Sequence, residues 1–308
     1  MKLNSYCRAD SIPVEELWWA PLVRSFRALP DDALPPRAHS GVAFNSVTVN
    51  TMKYLAFLVR KVRSLGGRII RFRVPTKGGL EVALKRIEEL LEPPDLGDMD
   101  ESSKRSSKSS DKPVAYVNCT GMGARVLVPD SKMYPIRGQT ILVKGEASCI
   151  RTLEGFDEER KEKYVSYVIP RKGSGTTILG GTKQEGNWHV EADEQTTKDI
   201  LQRCRELAPE LLTGVRTDEG GNQQDPEEEE GEFEVVRVNV GLRPAREGGA
   251  RVELDESIGN GQVLVHCYGH AGAGYQNSVG AARKVIGILE KRLRSAGGNI
   301  TEGVKAKI

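Results

Sequence analysis

VLVHCYGHAGAGYQNSVGAA, residues 263–282, is the stretch from which the fold is read. Val263–Cys267 is a short apolar run, the pattern of a strand buried on both faces. Glycines at 269, 272 and 274 follow, and a helical pattern starts near Asn277–Ser278 and runs to about Arg294. Strand, glycine-rich turn and helix bring backbone N–H groups and a helix N-terminus against an anionic or electron-rich ligand. Upstream, Asn239–Arg246 (NVGLRPAR) adds a guanidinium. A planar guanidinium holds a carboxylate through two parallel hydrogen bonds, which fixes orientation as well as charge.

Working outward, Tyr54, Leu55, Leu58, Val59, Val62 and Leu65 recur at helical spacing, with Gly66–Gly67 placed to end that helix. Arg68–Val74 alternates and predicts a strand. Leu80–Leu91 predicts a second amphipathic helix, stopped by Pro93–Pro94. Val114–Asn118 is almost continuously apolar, as a buried parallel strand would be, and Gly121 and Gly123 let the chain turn after it. Ile136–Val143, Tyr164–Pro170, Thr176–Leu179, Val235–Val240 and Gly249–Leu254 predict the strands of a second sheet. Asp193–Leu207 predicts a helix with Asp193 as an acid in its first turn. Residues 1–44, with Trp18, Trp19, Phe26 and several prolines, predict irregular structure with short strands. Asp95–Lys112 carries six serines and mixed charge, and Thr217–Glu234 nine acidic residues and no basic one. Both predict disordered, solvated insertions.

Composition narrows the class. Hydrophobic residues at 38% and charged residues at 29% of 308 suit a globular protein of one large or two ordinary domains. A net charge of +2 argues against a dedicated nucleic-acid binder, which concentrates basic charge on one face. No apolar run approaches the length that spans a membrane, and no apolar leader opens the chain. Five cysteines without CxxC spacing predict reduced thiols, Cys119 and Cys267 among them as packing residues in apolar strands. The four histidines show no metal-ligand spacing, so no metal site is predicted.

Six segments in order then carry a resemblance: VNCTGMGAR (117–125), RGQT (137–140), YVIPRKG (167–173), LGGTKQEGNW (179–188), NVGLRPAR (239–246) and HCYGHAGAGYQ (266–276). The chain resembles the FAD-dependent D-amino-acid oxidase family, which includes D-aspartate oxidase. The GLRPAR and RKGSG forms are similar to those of fungal members. The resemblance implies a mixed α/β (α+β) fold in which a partial Rossmann-like FAD-binding domain interleaves with a substrate domain built on a mixed, largely antiparallel sheet. The expected division is 45–94, 113–128 and 257–295 for FAD, and 1–44 and 129–256 for substrate, with 95–112 and 217–234 as insertions. Such flavoproteins open with a strand and a GxGxxG turn, whose glycines let the backbone approach the pyrophosphate. No GxGxxG occurs here, and the first residues resemble the interior of the family's substrate domain. Roughly a hundred residues of the family's N-terminal segment are therefore expected to be missing from this sequence, through a truncated gene model or a natural variant.

By resemblance, Arg243 clamps the substrate carboxylate, the Tyr167 hydroxyl donates to it or lines the pocket, and the Gly272 carbonyl faces the substrate amine. Thr120, Gly272, Gly274, Tyr275 and Gln276 approach the flavin and its ribityl chain, and Val74 meets the adenine through its backbone. Ala271 stands where the mammalian pattern has glycine, a small change expected to fit. Tyr164 is a candidate second tyrosine, although it lies three residues before Tyr167 and not four. Arg137 is expected to support structure, and His270 is not needed as a base. The implied reaction is oxidative deamination of a D-amino acid by FAD and oxygen to a 2-oxo acid, ammonia and hydrogen peroxide. D-Aspartate, a glycine- or sarcosine-type amine, or a binding role for an inactive fragment are the alternatives. A homodimer is compatible with the resemblance. The ending Ala306–Lys307–Ile308 resembles a weakened peroxisomal S-K-L signal, with cytosol as the alternative.

Overall fold

Alternation and apolar runs become strands where a partner strand lies alongside. The computed structural model describes residues 2–8 (backbone only), 16–91, 113–157, 161–213, 231–258 and 262–295. These fall into two units. The first comprises Met1–Ile69, Arg137–Gln184 and Trp188–Gly241; the second comprises Ile70–Ile136, Glu185–Asn187 and Leu242–Ile308.

A nine-stranded sheet is formed by β1 (Lys2–Arg8), β2 (Arg24–Ala28), β3 (Ser40–Ser46), β5 (Met133–Lys144), β6 (Ile150–Asp157), β7 (Glu162–Arg171), β8 (Thr176–Gly180), β9 (Gln184–Glu185) and β12 (Val235–Arg246). Its order is β12-β5-β8-β7-β6-β1-β3-β2, with β9 on β5. The β5–β8, β7–β8 and β6–β7 pairs are antiparallel, and β1 joins β6 in parallel. Within the first unit, alternate positions of β7, Ser166, Val168 and Pro170, are buried. A helix, Glu194–Arg205, covers that face. Asp193 caps it, accepting from the Thr196 N–H at 2.7 Å, so Asp193 stands at the N-cap just before the first turn, where it satisfies an otherwise orphaned donor. Ile200 and Cys204 from this helix pack with Ile141, Val143, Leu153, Val168 and Leu179 from the strands.

Near the start of the chain, Trp19 meets Phe26 and Phe44 edge-on, with ring centroids 5.9 and 5.1 Å apart. The short strands expected in 1–44 are thus part of the sheet. Helix α1 (Thr51–Ser64) is capped by Asn50 and tied down by Lys53 Nζ, which donates to the Gly173 carbonyl at 2.8 Å. None of its residues is buried.

In the second unit, β4 (Ala115–Asn118), β13 (Arg251–Asp255) and β14 (Val263–Tyr268) form a three-stranded sheet in the order β13-β14-β4. β14 runs parallel to β4, from Val263 opposite Ala115 to His266 opposite Asn118, and antiparallel to β13. Helix α3 (Ser278–Ser295) buries Val285 against Val263 and Val265. Helix α2 (Gly79–Leu91) is joined to the sheet through Glu88, which accepts from the Tyr116 hydroxyl at 2.6 Å and the Gln262 amide at 2.7 Å.

Three expectations are corrected. Cys119, expected as a packing residue in an apolar strand, is exposed, because β4 ends at Asn118 and leaves it in the segment that follows. Arg68–Val74 has no regular secondary structure; among the described residues no strand pairs with it, and a strand exists only as part of a hydrogen-bonded ladder. The strand expected at Gly249–Leu254 forms as β13, but it pairs with β14 and not with the larger sheet. Alternation reports that one face is buried, not which neighbour buries it. The insertion 95–112 lies outside the described residues, as does 217–230. Within 231–234, Glu232–Phe233 forms strand β11 against β10 (Leu212–Thr213), with Phe233 buried. Residues 306–308 also lie outside the described residues. No described helix is long and apolar enough to cross a membrane.

Candidate functional site

Parallel pairing of β4 and β14 puts their carboxyl ends side by side, the position at which open α/β sheets bind ligands. The turn at Gly121–Gly123 leaves one strand, and the turn Ala271–Ala273 leaves the other, just before α3. The end of β12 touches both turns. A Cβ built on Gly272 would sit 3.9 Å from Arg243 Cδ, and one on Gly121 would sit 3.6 Å from Pro244 Cγ. Ala245 forms an isolated β-bridge with His270. Arg243, Pro244 and Ala245 therefore knit two glycine-bearing turns to a guanidinium that stands half-buried beside them.

The turn after β14 demands particular backbone. Gly269 has φ +84°, and a Cβ there would come within 2.8 Å of Arg246 Cβ, so glycine is required twice over. Ala271 has φ +49°. The replacement expected to fit easily is accommodated in the left-handed region, where a Cβ costs about 1 kcal/mol.

Beneath these turns runs a buried hydrogen-bonded chain. His266 is fully buried. Its Nε2 lies 2.7 Å from Asp255 Oδ2 and its Nδ1 lies 3.1 Å from Asn118 Nδ2. Asn118 Oδ1 accepts from both the backbone N–H and the hydroxyl of Thr120, at 3.1 and 2.7 Å. A carboxylate can only accept, so Nε2 carries the proton and Nδ1 accepts from the Asn118 amide. Burial pushes His266 below its ordinary value, against the pull of Asp255. Burial alone would raise Asp255, but the Ser257 and His266 hydrogen bonds outweigh it and hold the carboxyl down at about 2. The chain thus fixes Thr120 at the mouth of β4.

A second relay anchors the end of β12. Asp130 Oδ2 accepts from Arg246 Nε and from the Tyr268 hydroxyl, both at 2.8 Å. Arg251 donates to the same Tyr268 oxygen at 3.0 Å. Burial acts to raise Asp130, yet the Arg246 and Tyr268 hydrogen bonds keep it below the usual carboxylate range. Asn118, Asp130, Arg246, Asp255, His266 and Tyr268 escaped the sequence reading as a group. One signal was visible: Asn118 and His266 are polar residues inside two otherwise apolar strands.

Of the expected site residues, Thr120, Arg243, Gly272, Gly274, Tyr275 and Gln276 all fall in the second unit. Arg243 and Gly272 are brought together, while Thr120, Gly272, Gly274, Tyr275 and Gln276 are exposed around the turns. Val74 lies in the irregular segment after α1, also within the second unit. Tyr167 is in β7 of the first unit, half-buried. A Cβ on Gly180 or Gly181 would overlap its ring, so the Leu179–Gly180–Gly181 motif makes room for this tyrosine. Tyr164 occupies the opposite face of β7, because the two are separated by an odd number of residues; the Arg203 guanidinium lies 4.9 Å from its ring centroid. Arg137 is buried and donates to the carbonyls of His189 and Glu191 and to Gln184 and Gln139, a structural post. His270 Nε2 lies 3.7 Å from Cys267 Sγ.

The second unit carries a small mixed sheet with glycine turns at the carboxyl ends of its parallel pair, and the first a broad, largely antiparallel sheet, an arrangement that suits a nucleotide-cofactor oxidoreductase. Comparison with known proteins agrees. The model of the family described as DAO, FAD dependent oxidoreductase, matches residues 7–287, and the chain belongs to that family. It is 32% identical to a D-aspartate oxidase of Cryptococcus neoformans, over 88% of this chain and 69% of that protein. It is 32% identical to a D-amino-acid oxidase of Fusarium vanettenii, over 92% and 68%. Among solved structures, the fold is similar to glycine oxidase from Geobacillus kaustophilus, with a TM-score of 0.60 at 16% identity, covering 94% of this chain and 71% of that one.

The residues present fit the flavin end of FAD. Thr120, Gly272 and Gly274 are exposed beyond the strand ends, and a Cβ on Gly272 or Gly274 meets no heavy atom closer than 3.9 Å, so a flat ring system can approach. The 308 residues contain no GxGxxG to cradle the pyrophosphate.

Proposed function

We propose that this chain takes part in FAD-dependent oxidation of D-amino acids, yielding a 2-oxo acid, ammonia and hydrogen peroxide with oxygen as electron acceptor. The observation that carries the reading is the placement of Arg243 against Gly272 at the carboxyl ends of β4 and β14, in a family whose relatives include D-amino-acid oxidases. When bound, FAD supplies the two-electron acceptor for hydride from the substrate α-carbon. Arg243 holds the substrate carboxylate by two parallel hydrogen bonds and so selects which face of the α-carbon is presented. The Gly272 carbonyl accepts from the substrate amine, and the Tyr167 hydroxyl donates to the substrate. Thr120, Gly274, Tyr275 and Gln276 border the ring and ribityl chain, and Val74 the adenine. No side chain has to remove the α-proton, so the protein's share is orientation and electrostatics. The FAD-binding part comprises 45–94, 113–128 and 257–295, joined by β13; the substrate part is the remainder of 1–44 and 129–256.

Anaerobic addition of D-alanine to the purified chain mixed with FAD tests this. The expected result is bleaching of the visible flavin band by the D-isomer only, and its loss by at least about a hundredfold in rate for Arg243→Leu, the scale of a lost charge-paired contact. Bleaching by L-alanine, or an Arg243→Leu protein as fast as the parent, would overturn it. A second reading, D-aspartate as preferred substrate, is favoured by the Cryptococcus neoformans relative at equal identity. A higher kcat/KM for D-aspartate than for D-alanine would select it.

A further inference from the structure

We propose that Cys119 and Cys267 form a peroxide-sensitive dithiol site that closes to a disulfide. The inference goes beyond the oxidase reading and rests on it only for the source of the oxidant. β4 and β14 run parallel with His266 opposite Asn118, the last pair of their ladder; Cys119 and Cys267 each follow by one residue, and their thiols are close enough to interact through a side-chain hydrogen bond. Equivalent positions on neighbouring parallel strands point to the same face. Their Cα atoms are then about 5 Å apart, the interstrand spacing, which lies inside the range of about 4.4–6.8 Å that a disulfide spans.

The two thiols differ in character. Cys119 is exposed and Cys267 partly buried. Desolvation around its sulfur, reinforced by the neighbouring Cys267, pushes the Cys119 thiol up to about 11, so it stays protonated and serves as the resolving partner. Cys267 Sγ lies 3.7 Å from His270 Nε2, a nitrogen able to take its proton. The proposed amino-acid chemistry uses none of the three. Elsewhere, Cys204 is sealed in the core of the first unit and pushed up to about 12 by burial.

The chemistry balances with one hydrogen peroxide. The Cys267 proton passes to His270, and the thiolate attacks one peroxide oxygen. The O–O bond breaks, and the departing hydroxide takes the proton back from His270 as water, leaving a sulfenic acid on Cys267. The Cys119 sulfur then attacks the Cys267 sulfur. The S–O bond breaks, and hydroxide leaves with the Cys119 proton as a second water. Two thiols lose two electrons and one peroxide gains them. The bond pins the ends of β4 and β14 together one residue before Thr120 and three before His270.

Peptide mass mapping of the purified chain after brief exposure to hydrogen peroxide is the test. The expected product is a cross-linked peptide pair holding Cys119 and Cys267, lighter by two hydrogens and formed about tenfold faster than oxidation of Cys149 or Cys204, as thiol accessibility and activation dictate. In Cys119→Ser, Cys267 should instead be trapped as a dimedone-reactive sulfenic acid. Separate oxidation of the two residues in the unsubstituted chain, or rates no faster than at Cys149, would overturn the proposal. A second arm supplies FAD and D-alanine in air, with and without catalase. A bond formed by added peroxide but not by turnover leaves the dithiol standing and counts against the oxidase reading. Oxygen consumption with D-alanine but no bond in either arm removes the dithiol alone.

Discussion

Each unit buries one elaborate polar cluster, and the two are built from different chemistry. In the first, Arg137 sits in a shell of neutral oxygens from His189, Glu191, Gln184 and Gln139. Gln139 in turn donates to the Asp193 carbonyl and the Thr197 hydroxyl. The cluster locks β5 and β9 to the start of the covering helix, beside a broad apolar core. In the second unit, the shell around His266 and Tyr268 is mostly titratable, with Asp130, Arg246, Arg251 and Asp255 beside the neutral Asn118. Its apolar clusters are smaller, Ala124–Met133–Tyr268 and Val263–Val265–Val285. A fully buried aliphatic side chain contributes about 1.5–3 kcal/mol, so the larger core makes the first unit the one held chiefly by burial. The second leans on a hydrogen-bonded chain whose strength depends on protonation. The part that carries Thr120, Arg243 and the glycine turns is therefore the part sensitive to pH.

The contrast can be broken most forcefully at Arg137. Arg137→Leu removes one donor from each of four oxygens inside the first unit, and urea unfolding should register a loss of about 3–5 kcal/mol. A loss below about 1 kcal/mol would mean that the neutral shell is dispensable.

A smaller effect, confined to the second unit, is expected from acid. The His266 imidazole lies below its ordinary value of 6.5 when folded, so the unfolded chain takes up that proton first. Stability is then fully present above 6.5 and declines as pH falls from 6.5 toward the folded value, with a slope that approaches one proton. Asp255, depressed to about 2 from 3.8, adds a term that is present above 3.8 and lost only as pH falls through about 2. Thermal unfolding of the second unit, followed by hydrogen exchange at Val265 and Tyr268 between pH 7 and 5, should soften while amides of Ile141 and Val143 hold. His266→Gln should flatten that difference. An unchanged pH slope in the variant would assign the sensitivity elsewhere. The smallest effect is expected at Ala271→Gly, which relieves a positive φ but frees the unfolded chain; the net gain should be at most about 1 kcal/mol by thermal melting. A loss of stability there would mean that the Ala271 methyl packs usefully.

How far these regions were legible in the sequence differs as well. The Val263–Arg294 strand, turn and helix, the GLRPAR strand and the helix capped by Asp193 could be read from local pattern, because periodicity, glycine and capping residues act over a few neighbours. The pocket made for Tyr167 by Gly180 and Gly181 left only a glycine pair as its trace. The Asn118–His266–Asp255 chain was nearly invisible, since its members are 148 and 11 residues apart and meet only through strand register.

The sequence alone determined the family, the order of its motifs and the residue types available to hold a carboxylate and a flavin, since these reside in short contiguous segments. Only the tertiary structure decided that Arg68–Val74 is not a strand, that β13 joins β14, and that Cys119 comes beside Cys267. Each of those outcomes depends on which strand lies alongside, and hydrogen-bond pairing between distant segments is settled by the whole fold and not by any local pattern.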